Sequence, residues 1–181
     1  MYFEEHQTER LVIRPLTLED AHLWVPYFEN NPNLRFLGLT QGSNNLENEE
    51  TWINRQLMRY QTNTFGMLAL IDKQTTTMIG QCGLLVQEVD GKTIHEIGYH
   101  IIPSYWRQGY ATEAAIFMKH LGFKMGVSDE LTSLIHIENI GSQKVARNNG
   151  MTCVNQTTFR ELPIFVYKIT KNEYYEATNK V

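Results

Sequence analysis

Hydrophobic and polar positions alternate along this chain with two different periods, and the changes of period mark its elements. Residues 9–16 alternate, with Leu11 and Ile13 inward, and read as a first strand. Thr17-Leu18-Glu19-Asp20 then carries a helix start, with Thr17 as N-cap and Asp20 as its capping-box partner. Leu18, Ala21, Val25 and Phe28 form the expected buried stripe of that helix, and Pro26 within it predicts a kink or an end. Residues 30–45 are rich in Asn, Gly and Pro and read as a long loop, in which Phe36 and Leu37 are packing residues. The helical period returns over 46–61, with Ile53, Leu57 and Tyr60 on one face and Trp52 beside them. Residues 65–71, 78–89 and 93–102 read as three strands joined by short turns, Asp90-Gly91-Lys92 being a hairpin signal. They predict an antiparallel meander.

Within residues 96–114 the period changes from 2 to 3.6. Ile97, Tyr99 and Ile101 fill one face of a strand, and Glu96, Gly98 and His100 the other, where the glycine leaves room for a ligand. Pro103 closes the strand. Ala114, Phe117, Met118 and Leu121 then follow a helical pattern over 109–122. Between Trp106 and Thr112 there is no acidic side chain, positions 109 and 111 are small, and Arg107 adds a positive charge. Free N–H groups at a helix start form an anion site that the helix dipole reinforces, and the expected ligand is a pyrophosphate. The run fits neither the phosphate loop GxxxxGK[ST] nor the dinucleotide pattern GxGxxG. Residues 128–137 lead into another strand, Asn139 and Gly150 bracket a further helix, and 152–170 read as two strands around Leu162-Pro163. Residues 172–181 are a polar tail expected to fray.

Composition narrows the class. A chain of 181 residues that is 42% hydrophobic and 20% charged is expected to form one domain. No membrane span or secretory signal is visible, and Cys82 and Cys153 stand far apart without metal-ligand spacing. The expectation is a cytoplasmic, reduced protein with no metal and no covalent thiol mechanism. A net charge of −4 argues against a nucleic-acid partner and suits a cationic substrate such as an amine.

Gly109 and Ala111 match the fourth and sixth positions of Q/R-x-x-G-x-G/A, so the loop resembles the acetyl-CoA loop of the GNAT acetyltransferases. The first position is Trp106 instead of Gln or Arg. Tyr105-Trp106 followed by Gly109 to Ala114 is similar to the RimJ/RimL branch of that superfamily. A second match is Thr8-Glu9-Arg10-Leu11 with Arg14-Pro15-Leu16 and Asp20-Ala21, and a third is Asn139-x-x-Ser142 at a helix start. The resemblance covers about residues 8–170.

It implies an α/β (α+β) fold over residues 1–181. The sheet would be mixed, mostly antiparallel, of about seven strands splayed at the two central ones, with about four helices. It implies acetyl-CoA as co-substrate and transfer to a primary amine by direct attack in a ternary complex. The backbone of Arg107, Gln108, Gly109, Tyr110, Ala111 and Thr112 would bind the pyrophosphate. The pantetheine would run as an added strand along 97–102, with Ile101 and Ile102 among its contacts. Asn139 would contact the cofactor, and Ser142 would contact it and hydrogen-bond the departing sulfur. Glu96 is the leading base, acting through water, and His100 the second candidate. His136 would face the splayed gap, and the loop at 30–45 would wall the acceptor.

Each has a plainer reading: Glu96 as a hydrogen-bonded strand residue, His100 as packing, Asn139 as an N-cap, Lys144 and Arg147 as a helix coat. The namesakes modify N-terminal amines of ribosomal proteins, and relatives modify polyamines, antibiotics or other small amines. A non-catalytic acyl-CoA-binding module is the rival reading. A nucleotide-binding α/β domain would need parallel βαβ units, which the meander opposes. No membrane partner is expected, and a homodimer is expected by analogy alone.

Overall fold

The computed structural model describes residues 1–39, 46–62 and 64–178. Its strands are β1 (His6–Gln7), β2 (Leu11–Pro15), β3 (Phe65–Asp72), β4 (Met78–Val89), β5 (Lys92–Ile101), β6 (Glu130–His136), β7 (Thr152–Phe159) and β8 (Leu162–Thr170). Its α-helices are α1 (Ala21–Phe28), α2 (Leu46–Gln61), α3 (Tyr110–Lys124), α4 (Ile140–Asn148) and α5 (Lys171–Thr178). One sheet has the order β1-β2-β3-β4-β5-β6-β8-β7. Every neighbouring pair is antiparallel except β5–β6. The meander stands where alternation placed it, and Asp90 and Gly91 take positive φ of 50° and 72°, as a two-residue hairpin turn requires.

The strand and helix numbers exceed the expectation of about seven and four. β1 is two residues long, too short for any periodicity to show. The polar tail folds through Thr178 as α5, which lays Tyr174 against Phe123 at a ring distance of 5.1 Å. Gly42 to Asn45 of the long loop lie outside the described residues.

Asp20 reaches back to the Thr17 N–H at 2.9 Å, as the capping pattern predicts, and takes two bonds from Arg14 at 2.7 and 2.8 Å. The helix then differs from its reading. Pro26 does not end it, and α1 runs to Phe28. Pro26 and His22 both lie on the exposed side, where water can satisfy the carbonyl that loses its partner. The buried face is Ala21, Trp24 and Tyr27, while Leu18 is exposed.

Period-2 alternation along β5 divides the interior. Ile97 and Ile101 join α3 in one core, with Tyr99 packed against it, and that core also holds Leu68, Leu84, Met118 and Leu131. α1 and α2 cover the other face with Trp24, Tyr27, Leu34 and Ile53 against Met67, Ala69 and Met78.

Candidate active site

The sheet opens between its two parallel strands. β5 and β6 share a single backbone pairing, Glu96 with Thr132. Side chains take over there: the Thr132 hydroxyl donates to the His95 carbonyl at 3.1 Å and the Ser133 hydroxyl to the Ile97 carbonyl at 2.8 Å. Beyond Ile97 the strands part. The Ile102 N–H bonds the Ile79 carbonyl at 2.9 Å, and the alternation of an antiparallel ladder then turns the backbone groups of 97, 99 and 101 away from β4, into the opening. The Trp106 indole N–H takes the Ile101 carbonyl at 2.6 Å. Tyr99 N–H, Tyr99 C=O and Ile101 N–H remain unpaired among the described residues. The Ile102 N–H bonds the Ile79 carbonyl, and its own carbonyl accepts from the Tyr105 N–H.

At the outer end of β5 the chain turns into α3 through two left-handed residues, Arg107 (φ 61°) and Gly109 (φ 87°). A non-glycine residue in this region is strained, and such strain gathers where function requires it. The N–H groups of residues 107–112 make no hydrogen bond among the described residues. They form a concave row of donors at a helix N-terminus, which suits an anion. Arg107 and Gln108 are exposed beside it.

Residues far back in the chain brace this loop. Arg10 donates to the Gln108 carbonyl at 2.8 Å and to Glu113 at 2.7 Å, and its guanidinium lies 4.3 Å from the Tyr110 ring centroid. Glu113 also accepts from the Thr8 hydroxyl at 2.6 Å and the Arg10 N–H at 2.9 Å. Burial alone would raise the Glu113 pKa, but the Thr8 and Arg10 bonds hold it below its ordinary value. The Tyr110 hydroxyl donates to Asp72 at 2.6 Å. Thr8, Arg10, Glu113 and Asp72 were not among the expected site residues; Thr8 and Arg10 stood in the quoted motifs without a role. Arg10→Ala is expected to weaken CoA binding about tenfold and to lower the melting temperature, since a charge-assisted bond contributes about 1.5–3 kcal/mol. Calorimetry and thermal melting check this, and no change in either would remove the brace.

Glu96 lies at the fork. Gln87 Nε2 donates to its carboxylate at 2.9 Å, as does the Leu134 N–H that the parting strands leave free. Burial pushes its pKa above the ordinary carboxylate value, although Gln87, Leu134, Arg160 and Arg59 oppose the rise. A carboxylate so placed accepts a proton more readily than an exposed one.

Ser142 lies in the first turn of α4 and is half-buried. Asn139 caps that helix, its Oδ1 accepting from the Ser142 N–H at 3.1 Å, and the Tyr99 hydroxyl donates to the Ser142 carbonyl at 2.8 Å. This ties the start of α4 to the open edge of β5. The Ser142 hydroxyl and Asn139 Nδ2 make no hydrogen bond among the described residues.

His100 sits elsewhere. Its Nδ1 is 2.9 Å from the Tyr27 hydroxyl, and its ring is edge-on to Tyr27 and Trp52. Burial lowers its pKa to about 4, so it is a neutral packing residue at physiological pH. His136 stacks on Phe36 with ring centroids 4.9 Å apart, and Arg35 pairs with Glu138 at 3.5 Å. The 3-10 turn Pro32–Leu37 therefore spans the opening from the α1 side to the start of α4. Arg147 turns inward to Gln143 and Tyr167, both at 3.0 Å, while Lys144 is exposed. Burial raises the Cys82 thiol pKa, and Cys153 is exposed on β7.

Known proteins are similar to this chain in sequence or in fold. The uncharacterized N-acetyltransferase p20 of Bacillus licheniformis is 25% identical over 178 residues, 92% of this chain and 96% of its own. An acetyltransferase structure from Agrobacterium tumefaciens superposes with a TM-score of 0.76 at 23% identity, covering 93% of this chain and 95% of its own. RimL, the ribosomal L7/L12 α-N-protein acetyltransferase crystallised with coenzyme A, superposes with a TM-score of 0.73 at 14% identity over 92% of this chain and 98% of its own. At such identities the two structures establish a shared fold. The family described as acetyltransferase (GNAT) domain matches residues 10–152, most of the chain and all of the loop, fork and α4 start, and to that family of N-acetyltransferases this protein belongs.

Proposed function

We propose that the protein transfers the acetyl group of acetyl-CoA to a primary amine by direct attack in a ternary complex. The observation that carries this reading is the fork, where Glu96 stands at the one β5–β6 pairing and the Tyr99 hydroxyl ties Ser142, at the start of α4, to the open stretch of β5. The thioester supplies the activated acetyl group. The N–H row of 107–112 holds the pyrophosphate, and Arg107 adds charge beside it. From Ile101 back to Ile97 a strand rises about 13 Å. Over that length the free groups of Tyr99 and Ile101 suit an arm that carries two amides. Asn139 Nδ2 and the Ser142 hydroxyl border its inner end.

The amine arrives as an ammonium, with a pKa near 10 for an alkylamine and near 8 for an α-amine. Glu96 takes its proton, directly or through one water. The nitrogen then bonds the acetyl carbon and the carbon–sulfur bond breaks, and the second proton of the nitrogen passes to the thiolate through the Ser142 hydroxyl, which gives one proton and takes up another. Ser142→Ala is expected to lower kcat about 10²-fold with CoA affinity unchanged. Equal kcat would leave Ser142 as a helix-start residue.

Thiol release from acetyl-CoA tests the whole reading, across N-terminal peptides of ribosomal proteins, polyamines, aminoglycosides and single amino acids. Release that depends on one class confirms the transfer. CoA binding without release to any amine supports a non-catalytic binding module. We place the protein in the cytoplasm, where acetyl-CoA is made and free thiols such as Cys82 and Cys153 persist.

A further inference from the structure

Two arginines approach the fork, one from α2 and one from the β7–β8 hairpin. Arg59 lies in the last turn of α2 and is half-buried. Its carbonyl accepts from the Thr64 N–H at 3.1 Å and from the Thr62 and Thr64 hydroxyls at 3.1 and 3.3 Å, which fixes its backbone. A Cβ built on Gly66 would lie 3.4 Å from the Arg59 Cβ. Gly66 adjoins Phe65, and Phe65, Leu85 and Glu96 form one row across β3, β4 and β5. Arg160 lies at the tip of the β7–β8 hairpin, where Arg160 and Glu161 both take left-handed φ (49° and 66°). Its guanidinium lies 5.0 Å from the Phe159 ring centroid. The hairpin leans over the opening: Leu162 is 3.9 Å from where a Gly38 Cβ would stand, and Thr157 bonds Asp90 at 2.9 Å.

Neither guanidinium forms an ion pair or a hydrogen bond among the described residues. For Arg59 this is costly. Burial lowers its pKa, and Arg160 and Arg55, one turn earlier on α2, push the same way. Like charges four residues apart destabilise a helix, and a charge leaving water needs a partner. Glu96 is the carboxylate that both arginines sense, and it already accepts from Gln87 and Leu134. Of the nearby acids, Asp90 is bonded to Thr157 and Glu138 to Arg35. Arg160 is exposed with Glu161 next to it, so the half-buried Arg59 is the charge that has no acidic partner of its own beyond the Glu96 it shares. A guanidinium fork matches a carboxylate.

We propose that the acceptor is a primary amine that also carries a carboxylate, such as a free amino acid, and that Arg59 and Arg160 bind its carboxylate while Glu96 faces its amine. This rests on the transfer reading above and names its acceptor class. A polyamine, cationic throughout, is repelled by the same two arginines. An amino acid amide keeps the amine and loses the anion.

The test compares kcat/KM for α-amino acids and for their amides, with spermidine as a cationic control. Calorimetry of the amino acids into the enzyme saturated with CoA runs in parallel. The acid is expected to exceed the amide by about tenfold to a hundredfold, as charge-assisted bonds suggest. In Arg59→Gln and Arg160→Gln the ratio falls, and in the double variant it approaches one, with amino acid binding to the CoA complex lost. Preference for the amide or spermidine in the wild type, or a ratio that survives both substitutions, overturns the acceptor assignment and leaves the transferase intact. Arginine-dependent amino acid binding without thiol release overturns the transfer and leaves the anion site standing.

Discussion

Gly109→Glu is expected to raise the Kd for CoA by about four orders of magnitude. Two effects add. Gly109 holds φ of 87°, and a side chain there costs about 1–2 kcal/mol. A built Cβ would also lie 3.3 Å from Arg10 Nη2, so the substitution disturbs the guanidinium that braces Gln108 and Glu113. The carboxylate then sits beside an anion; two like charges about 4 Å apart repel by about 4 kcal/mol at the effective dielectric of a protein surface. Gly109→Ala separates the two, since it carries the backbone strain without the charge and should lose about tenfold. Calorimetric titration with CoA reads both. If the Glu variant bound CoA as the wild type does, the loop would not be the pyrophosphate site.

Glu96→Gln should lower kcat/KM by about 10²–10⁴, the usual contribution of a general base. The pH profile carries the sharper expectation. Burial raises the Glu96 pKa above that of a free carboxylate, so the wild-type acid limb should fall at a higher pH than an exposed glutamate would give. Activity is full above that pKa, where Glu96 is ionised, and declines as pH drops through it. The Gln variant loses this limb, and its residual rate follows deprotonation of the free amine. Because Glu96 lies at the fork and away from the loop, CoA affinity should stay the same. An acid limb that persists in Glu96→Gln would assign the base elsewhere. His100 would not be the candidate, since its pKa of about 4 and its place against Tyr27 and Trp52 remove it from the opening.

Signals confined to one short stretch were legible in the chain. The change of period between Glu96 and Leu121 located the strand, loop and helix that build the anion site. The spacing of Asn139 and Ser142 located the start of α4. Contacts that join distant residues had no such signal. Arg10 and Glu113 are 103 positions apart, and only folding shows that one fixes the other. Arg59 and Arg160 are ordinary arginines until α2 and the β7–β8 hairpin bring them towards Glu96. Thr132 and Ser133 carry no local signal of their task, because holding two carbonyls where the ladder ends depends on the partner strand. The stripe assigned to α1 held at Ala21, in part at Val25 and Phe28, and failed at Leu18, because Trp24 and Tyr27 fill more space under the helix.

A sheet that parts in its middle exposes strand edges, and an exposed edge invites any passing strand to pair with it. Here the invitation is too short to accept. Ser133 occupies the Ile97 carbonyl and Trp106 the Ile101 carbonyl, so three backbone groups remain, at Tyr99 and Ile101. A stable strand partner needs several consecutive pairings; a ligand with two amide bonds needs no more than these three. The same indole and hydroxyl that would set the length of the proposed pantetheine track therefore also leave a passing strand little of this edge of β5 to pair with.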